Sequence, residues 1–86
     1  MLISIIIPSR DRAVYLKYSV QTALTIQDKN IEIIISDNAS TDHTREIIRD
    51  IDDTRLKYFN TNKRISMRAN FENALKASSG DYVIFF

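Results

Sequence analysis

Apolar residues follow two rhythms along this chain. Leu2 to Ile7 is almost continuously apolar and β-branched, and Ile31 to Ser36 repeats that character. Unbroken runs of this kind suit strands covered on both faces. Between them Ala13, Leu16, Val20, Ala23 and Leu24 recur at helical spacing, and Ile47, Ile48 and Ile51 do so again after the second run. Leu56 to Phe59 predicts a shorter strand, whose Lys57 suits a sheet edge where a long stem reaches water. Met67, Phe71, Ala74 and Leu75 form a third helical stripe, and Tyr82 to Phe86 a fourth strand.

The polar residues between these runs supply the punctuation. Pro8 is expected to end the first strand, because proline cannot donate to a ladder. Asp11 is expected to cap the first helix, and Gly80 to close the third. Asp37 to Asp42 is a run of turn and capping residues, and Asn60 to Arg64 a polar loop. Strands alternating with helices over short connections define an α/β class, a Rossmann-like doubly wound parallel sheet with right-handed crossovers. No repeat, linker or low-complexity tract divides the chain, so residues 1–86 read as one domain. An apolar strand is an unusual place for a domain to finish, so the expectation is a partial domain of a longer protein.

Composition narrows the chemistry. The 86 residues carry 12 Lys and Arg against 11 Asp and Glu, a net charge of +1, which gives no general pull toward nucleic acid or an anionic surface. Any binding must be local. With no Cys and one His, disulfide frameworks, zinc knuckles and thiol nucleophiles are excluded, and a single Gly excludes a glycine-rich phosphate loop. No segment approaches the ~20 apolar residues that span a bilayer, and the first seven residues lack the basic start and cleavage site of a signal peptide. The expected compartment is cytoplasmic.

In open parallel sheets, ligands bind beyond the carboxyl ends of the strands, where strand order reverses. That rule selects Pro8-Ser9-Arg10-Asp11-Arg12 after the first strand, Asp37-Asn38 after the second, and whatever follows Phe86.

The same stretches carry a resemblance. Ile5-Ile6-Ile7-Pro8-Ser9-Arg10-Asp11-Arg12 resembles the opening strand and loop of family 2 glycosyltransferases of the GT-A fold, and Ile33 through Asp42 resembles their second signature. Asn70 through Leu75, continued by Gly80 through Phe86, is similar to the helix and strand that in this family lead into an Asp-x-Asp metal motif. The resemblance implies the nucleotide-sugar-binding portion of such an enzyme, with strand order 3-2-1-4. By position, Pro8, Ser9 and Arg10 would line the base and ribose, Asp37 and Asn38 would hold the nucleoside, commonly uridine, and Arg68 would meet the diphosphate. An ionised Asp37 is acceptor-only, which suits a uracil ring N–H. Arg10 stands where the family usually has Tyr, so stacking there would fall to a guanidinium plane.

The implied reaction is transfer of a sugar to an acceptor hydroxyl with inversion, assisted by Mg²⁺ or Mn²⁺ on oxygen ligands. The acceptor would be a glycan, a lipid-linked sugar or a protein, with no nucleic acid involved. The metal ligands are expected just after Phe86 and the base further on, so the 86 residues alone are expected to be catalytically inactive. In full-length form the enzyme would work in the cytoplasm or at the cytoplasmic face of the membrane.

Blander readings stand beside these. Asp37 and Asn38 also suit a turn, Ser40 and Thr41 helix caps, and Arg12 a pairing with Asp11 or Asp42. Lys63, Arg64 and Arg68 also read as a solvated face, Tyr58-Phe59 as packing, and His43 as a solvent-exposed imidazole. Asp52-Asp53 reads as a loop pair, and the sequon Asn38-Ala39-Ser40 as accidental. The rival function is a non-catalytic nucleotide-binding or protein-interaction module. An unpaired strand edge also predicts self-association of the fragment.

Overall fold

The computed structural model describes all residues from 1 to 86. Its elements run β1 (Ile3–Ser9), α1 (Ala13–Leu24), β2 (Ile31–Asp37), α2 (Thr44–Arg49), β3 (Leu56–Asn60), α3 (Met67–Ala77) and β4 (Tyr82–Phe85). The strands form one parallel sheet in the order β3-β2-β1-β4. Reversal of strand order between β1 and its two neighbours places α1 and α2 on one face and α3 on the other.

Alternation along β1 and β2 divides the core between those faces. Ile5, Ile7, Ile33 and Ile35 pack with Leu16, Val20 and Ala23 of α1 and Ile48 of α2, while Ile6 and Ile34 meet Ala74, Phe59 and Phe71 on the α3 side. Ile6, Ile33 and Ile35 are fully buried, each contributing ~1.5–3 kcal/mol relative to exposure. These two strands are covered on both sides, as their unbroken apolar runs require.

Four local expectations are corrected. Pro8 lies inside β1, which continues to Ser9. The carbonyls of Ile6 and Ser9 bond to opposite neighbours, Phe86 and Asn38, so Pro8, in phase with Ile6, turns its nitrogen toward β4. Pairing with β4 stops at Ile6, so the missing N–H removes no ladder bond. Asp11 does not cap α1. Arg12 occupies that position without a side-chain bond, and Asp42 Oδ2, from the next loop, accepts the Ala13 N–H at 3.1 Å.

Gly80 does not close α3, which ends at Ala77 with Ser78 as its cap. Its lack of a side chain answers a different need, since a Cβ there would stand 2.5 Å from Ser4 Oγ and 2.7 Å from the Ser4 nitrogen. The buried stripe of α3 is also displaced. Asn70 and Ala74 are buried, whereas Met67 is 85% and Leu75 41% exposed. Asn70 takes the inner position because its amide pairs with Ser36, accepting from Oγ at 2.6 Å and donating to the carbonyl at 3.1 Å.

Lys57 does sit on the edge strand, but its ammonium reaches Glu32 on β2 at 2.8 Å. Glu32 is 4% exposed and also accepts from Ser4 Oγ, Ser79 N and Ser79 Oγ, which ties all three older strands to the turn before β4.

Candidate functional site

The carboxyl ends of β1, β2 and β3 carry three loops, and each contains one non-glycine residue at positive φ: Asp11 at 52°, Ala39 at 52° and Asn62 at 66°. Such residues cost of order 1–3 kcal/mol each and persist only where surrounding bonds hold them. Here the bonds run between loops. Ser9 and Asp37 are register partners, so their side chains leave the sheet on the same face, and the Asn38 N–H donates to the Ser9 carbonyl at 2.8 Å.

Asp11 is turned outward because its carboxylate serves two neighbouring loops. Oδ1 accepts the Thr41 N–H at 2.7 Å and Oδ2 the Arg64 guanidinium at 2.8 Å, while the Asp11 N–H donates to Ser40 Oγ. The Thr41 N–H, with the Arg64 charge, holds the Asp11 carboxyl below the usual carboxylate range. Asp42 works in parallel, with Oδ2 accepting from Ala13 and Oδ1 from Thr44. Burial pushes its carboxyl up, but those donors outweigh it and the net direction is down.

Asp37 is 1% exposed. Oδ1 accepts from the Ser40 N–H and hydroxyl, and Oδ2 from Tyr58 Oη at 2.5 Å and Asn60 Nδ2 at 3.4 Å. Four donors therefore meet the four lone-pair directions of the carboxylate. Asn38 is engaged in the same way, its Nδ2 donating to the Ile65 carbonyl at 2.8 Å and its Oδ1 accepting the Ile65 N–H at 2.9 Å. Both residues clamp the rim.

Beside this clamp a cavity of about 530 Å³ opens on the α3 side of the rim, lined by Pro8, Ser9, Arg10, Arg12, Asn38, Met67, Asn70, Phe71, Phe85 and Phe86. Phe71 and Phe85 meet edge to face, with centroids 4.9 Å apart, along its apolar side. The ion pairs of the chain join Arg55 to Asp53, Lys57 to Glu32, Arg64 to Asp11 and Arg68 to Glu72. Arg10 and Arg12 belong to none of them, and no Asp or Glu lines the cavity. It is an uncompensated cationic recess over an aromatic wall.

Of the residues singled out by sequence, Pro8, Ser9, Arg10 and Asn38 line this cavity. Asp37 lies at the adjoining strand end with its carboxylate occupied by the loop network. Arg68 is outside, its side chain 89% exposed and its Nε 3.4 Å from Glu72. Arg12, for which pairing with Asp11 or Asp42 is the blander reading, pairs with neither and joins the lining. Phe71 and Phe85 read in the sequence as packing residues, and all of Asn70, Phe71 and Phe85 as part of the resembling helix and strand, but none as a site residue. A second cleft of about 510 Å³ runs between α2 and β3, lined by Arg45, Arg49 and Tyr58 among others, and contains none of the sequence-selected residues.

No group of three or more His, Asp or Glu residues is placed to share a cation. The rim carboxylates are each taken up by N–H, hydroxyl or guanidinium donors, so the residues present do not fit a divalent metal centre.

A parallel sheet whose strand order reverses beside a recess at its carboxyl ends defines a doubly wound α/β domain, the class in which that reversal is the usual place for a ligand. Within that class the chain belongs to glycosyl transferase family 2, whose family model matches residues 4–86. It is 35% identical over 86 residues to GalNAc(5)-diNAcBac-PP-undecaprenol beta-1,3-glucosyltransferase of Campylobacter jejuni, covering 96% of this chain and 28% of that protein. It is 38% identical over 84 residues to UDP-Glc:alpha-D-GlcNAc-diphosphoundecaprenol beta-1,3-glucosyltransferase WfaP of Escherichia coli, covering 98% and 34%. The chain thus spans about a third or less of the length of these relatives. Among solved structures, mannosyltransferase PcManGT from Pyrobaculum calidifontis, in complex with GDP-Man and Mn²⁺, superposes with a TM-score of 0.84 at 21% identity, over 94% of this chain and 25% of that one. TarS of S. aureus gives 0.83 at 24% identity, over 100% and 27%. The fold is that of the GT-A glycosyltransferases.

Proposed function

We propose that these residues form the donor-binding portion of an inverting glycosyltransferase that moves a sugar from a nucleoside diphosphate sugar to an acceptor hydroxyl. The observation that carries this reading is the recess itself, where Arg10 and Arg12 stand without counter-charges beside Ser9 and above Phe71 and Phe85. Guanidinium groups suit a diphosphate, and aromatic faces suit a base or sugar ring. Ser9 borders the recess at the end of β1, its side chain leaving the sheet on the face shared with Asp37. Asp37 and Asn38 serve by fixing the loops, and Arg68 makes no contact with the recess.

In the proposed reaction the acceptor oxygen attacks the anomeric carbon, the bond from that carbon to the diphosphate breaks, and the leaving diphosphate gains negative charge. Arg10 and Arg12 would stabilise that charge where it develops. The acceptor proton needs a base, and no carboxylate lines the recess, so donor binding without transfer is the activity proposed for these 86 residues. A divalent cation such as the one held with GDP-Man in the Pyrobaculum enzyme would bring its ligands from outside them.

Two relatives are named for undecaprenol-diphosphate-linked acceptors, which supports a lipid-linked acceptor and work at the cytoplasmic face of a membrane. No helix here is long and apolar enough to cross a bilayer. Titration calorimetry with UDP, GDP and their sugars tests the proposal. Saturable binding of one of them, weakened about tenfold by Arg12→Ala, is expected for loss of one charged contact. Absence of heat with every nucleotide, the fold being intact by NMR, overturns it.

A further inference from the structure

The first half of α1 is apolar on two opposite sides. Ala13, Leu16, Val20 and Ala23 are buried against the sheet, while Val14, Tyr15 and Tyr18, on the far pole of the same helix, are 60%, 73% and 63% exposed. A helix that serves only as a lid over a sheet carries charged residues on its outer face. Here that face carries the largest side chains of the helix.

The charge pattern around these residues is one-sided. From Arg12 to Gln27 the chain contains no Asp or Glu, although 11 acidic residues are spread over the rest of the 86. Even the first helical turn, where the helix dipole favours a carboxylate, has none. Arg12 and Lys17 are exposed on this segment, and Ile26 just beyond it is 46% exposed. The chain's net charge of +1 gives no overall attraction to an anionic surface, so this is a local feature.

We infer that the outer face of α1, through Tyr15, Tyr18, Val14 and Lys17, docks on an anionic lipid surface. Tyrosine, with an apolar ring and a hydroxyl that stays wet, suits the headgroup level, and a flanking Lys adds attraction to acidic lipids. The undecaprenol-diphosphate-linked acceptors for which two relatives are named favour a lipid surface over a folded protein partner. Arg12 links the two functions in space, because it both lines the donor recess and opens α1. A helix lying on the headgroups therefore holds the recess within reach of a lipid-linked acceptor. The choice of lipid rests on the acceptor reading above.

The test uses the full-length protein and vesicles of phosphatidylcholine with and without phosphatidylglycerol. Wild type is expected to co-sediment with the acidic vesicles and to be released by salt. Lys17→Glu is expected to weaken that partition about tenfold, by removing one attraction and adding a repulsion. The pair Tyr15→Ser and Tyr18→Ser is expected to weaken it further, with nucleotide affinity unchanged because neither residue touches the recess. These 86 residues have no Cys, so with any cysteine elsewhere in the full-length protein replaced by Ser a nitroxide on Val14→Cys reports depth, and a label protected from aqueous quencher on vesicle binding supports the docking. Equal partition of wild type and variants overturns it, as does a dimer lost on the same substitutions without vesicle binding. Either result leaves the donor-binding proposal standing, since calorimetry tests that separately.

Discussion

The hydroxyl of Tyr58 donates to Oδ2 of Asp37, joining the edge strand to the end of β2 at the rim of the sheet. Tyr58 is in register with Ile35, two residues before Asp37, so its ring packs with the core while its oxygen leans along the strand to the carboxylate. Tyr58→Phe leaves Oδ2 with only the long contact from Asn60. Losing one bond to a buried acceptor costs about 1–3 kcal/mol, to be read from urea denaturation. Burial, together with the Asp37 hydrogen bond, raises the Tyr58 hydroxyl above its ordinary value of 10.0. The folded state therefore holds this proton more tightly, so the stability it gives is complete below about pH 10 and is lost as pH rises past the folded value. Tyr58→Phe is expected to remove that part of the alkaline loss, and an unchanged alkaline profile contradicts the assignment.

Asn38 uses its side-chain amide as a peptide group, donating to and accepting from the backbone of Ile65. Asn38→Asp replaces the donor with an acceptor facing the Ile65 carbonyl. A loss of about 2 kcal/mol is expected for the unmade bond and the repulsion. Hydrogen exchange at the Ile65 amide provides the local check: it is expected to accelerate more than the amides of β1, and uniform acceleration counts against a clamp on this loop.

The order of elements was legible because β-branched runs and helical stripes left no competing period, and the sheet order agrees with the expected one. Caps were not legible in the same way. Asp11 has the right chemistry and position for α1, yet Thr41 and Arg64 claim it, and Asp42 reaches back to do the capping. Those partners lie about thirty or more residues away and become neighbours only when β1 and β2 pair. The same limit applies to the site. Topology selected the strand ends where Ser9, Arg10 and Asn38 border the recess, whereas Asp37 and Asn38 read also as turn residues, and their bonds show that they clamp the rim. Tyr58 was hidden because a packing assignment records a ring and says nothing of the hydroxyl it carries, and Asn70 because a polar residue interrupting an apolar stripe gives no sign that its partner, Ser36, lies inside the sheet.

Glu32 provides the clearest pH signature. Burial alone raises its carboxyl, but the Lys57 ammonium, the Ser4 hydroxyl and the two Ser79 donors outweigh it and hold it at about 2, against an ordinary 4.5. A folded-state value below the unfolded one means that the stabilisation is present above about pH 4.5 and is lost as pH falls toward 2. Glu32→Gln is expected to flatten the acid limb of the stability profile over that window. Glu32→Ala is expected to cost about 3 kcal/mol, since the Ser4 and Ser79 donors lose a buried partner. Acid unfolding followed by circular dichroism measures both, and an acid limb unchanged in Glu32→Gln rules out this carboxylate as its source.

Arg12 makes no ion pair, and it lines the recess. Replacing it with Ala should leave the unfolding free energy within about 0.5 kcal/mol of wild type, as for surface positions free of special contacts. The contrast with nucleotide binding is then diagnostic, because a drop in affinity without a drop in stability separates a ligand contact from a structural one. Parallel loss of both places Arg12 in the scaffold instead.

Gly80 is held close to β1, donating its N–H to Ser4 Oγ at 2.8 Å. Ser4 in turn donates to Glu32, so the turn before β4 is anchored to the buried carboxylate through one hydroxyl. Gly80→Ala places a methyl 2.5 Å from that hydroxyl, 2.7 Å from the Ser4 nitrogen and 2.9 Å from the Leu2 carbonyl. Two of these three contacts are backbone, which cannot rotate aside, so β4 must move away from β1. A cost of about 1–3 kcal/mol is expected, as for other overpacked sites. Because Phe85 lines the recess at the far end of β4, nucleotide affinity should fall together with stability. Ser4→Ala removes one of the three contacts and two hydrogen bonds at once, so the double variant tests the geometry. Steric conflict at the hydroxyl predicts that the combined loss is smaller than the sum of the single losses, while strict additivity assigns the clash to the Ser4 and Leu2 backbone alone.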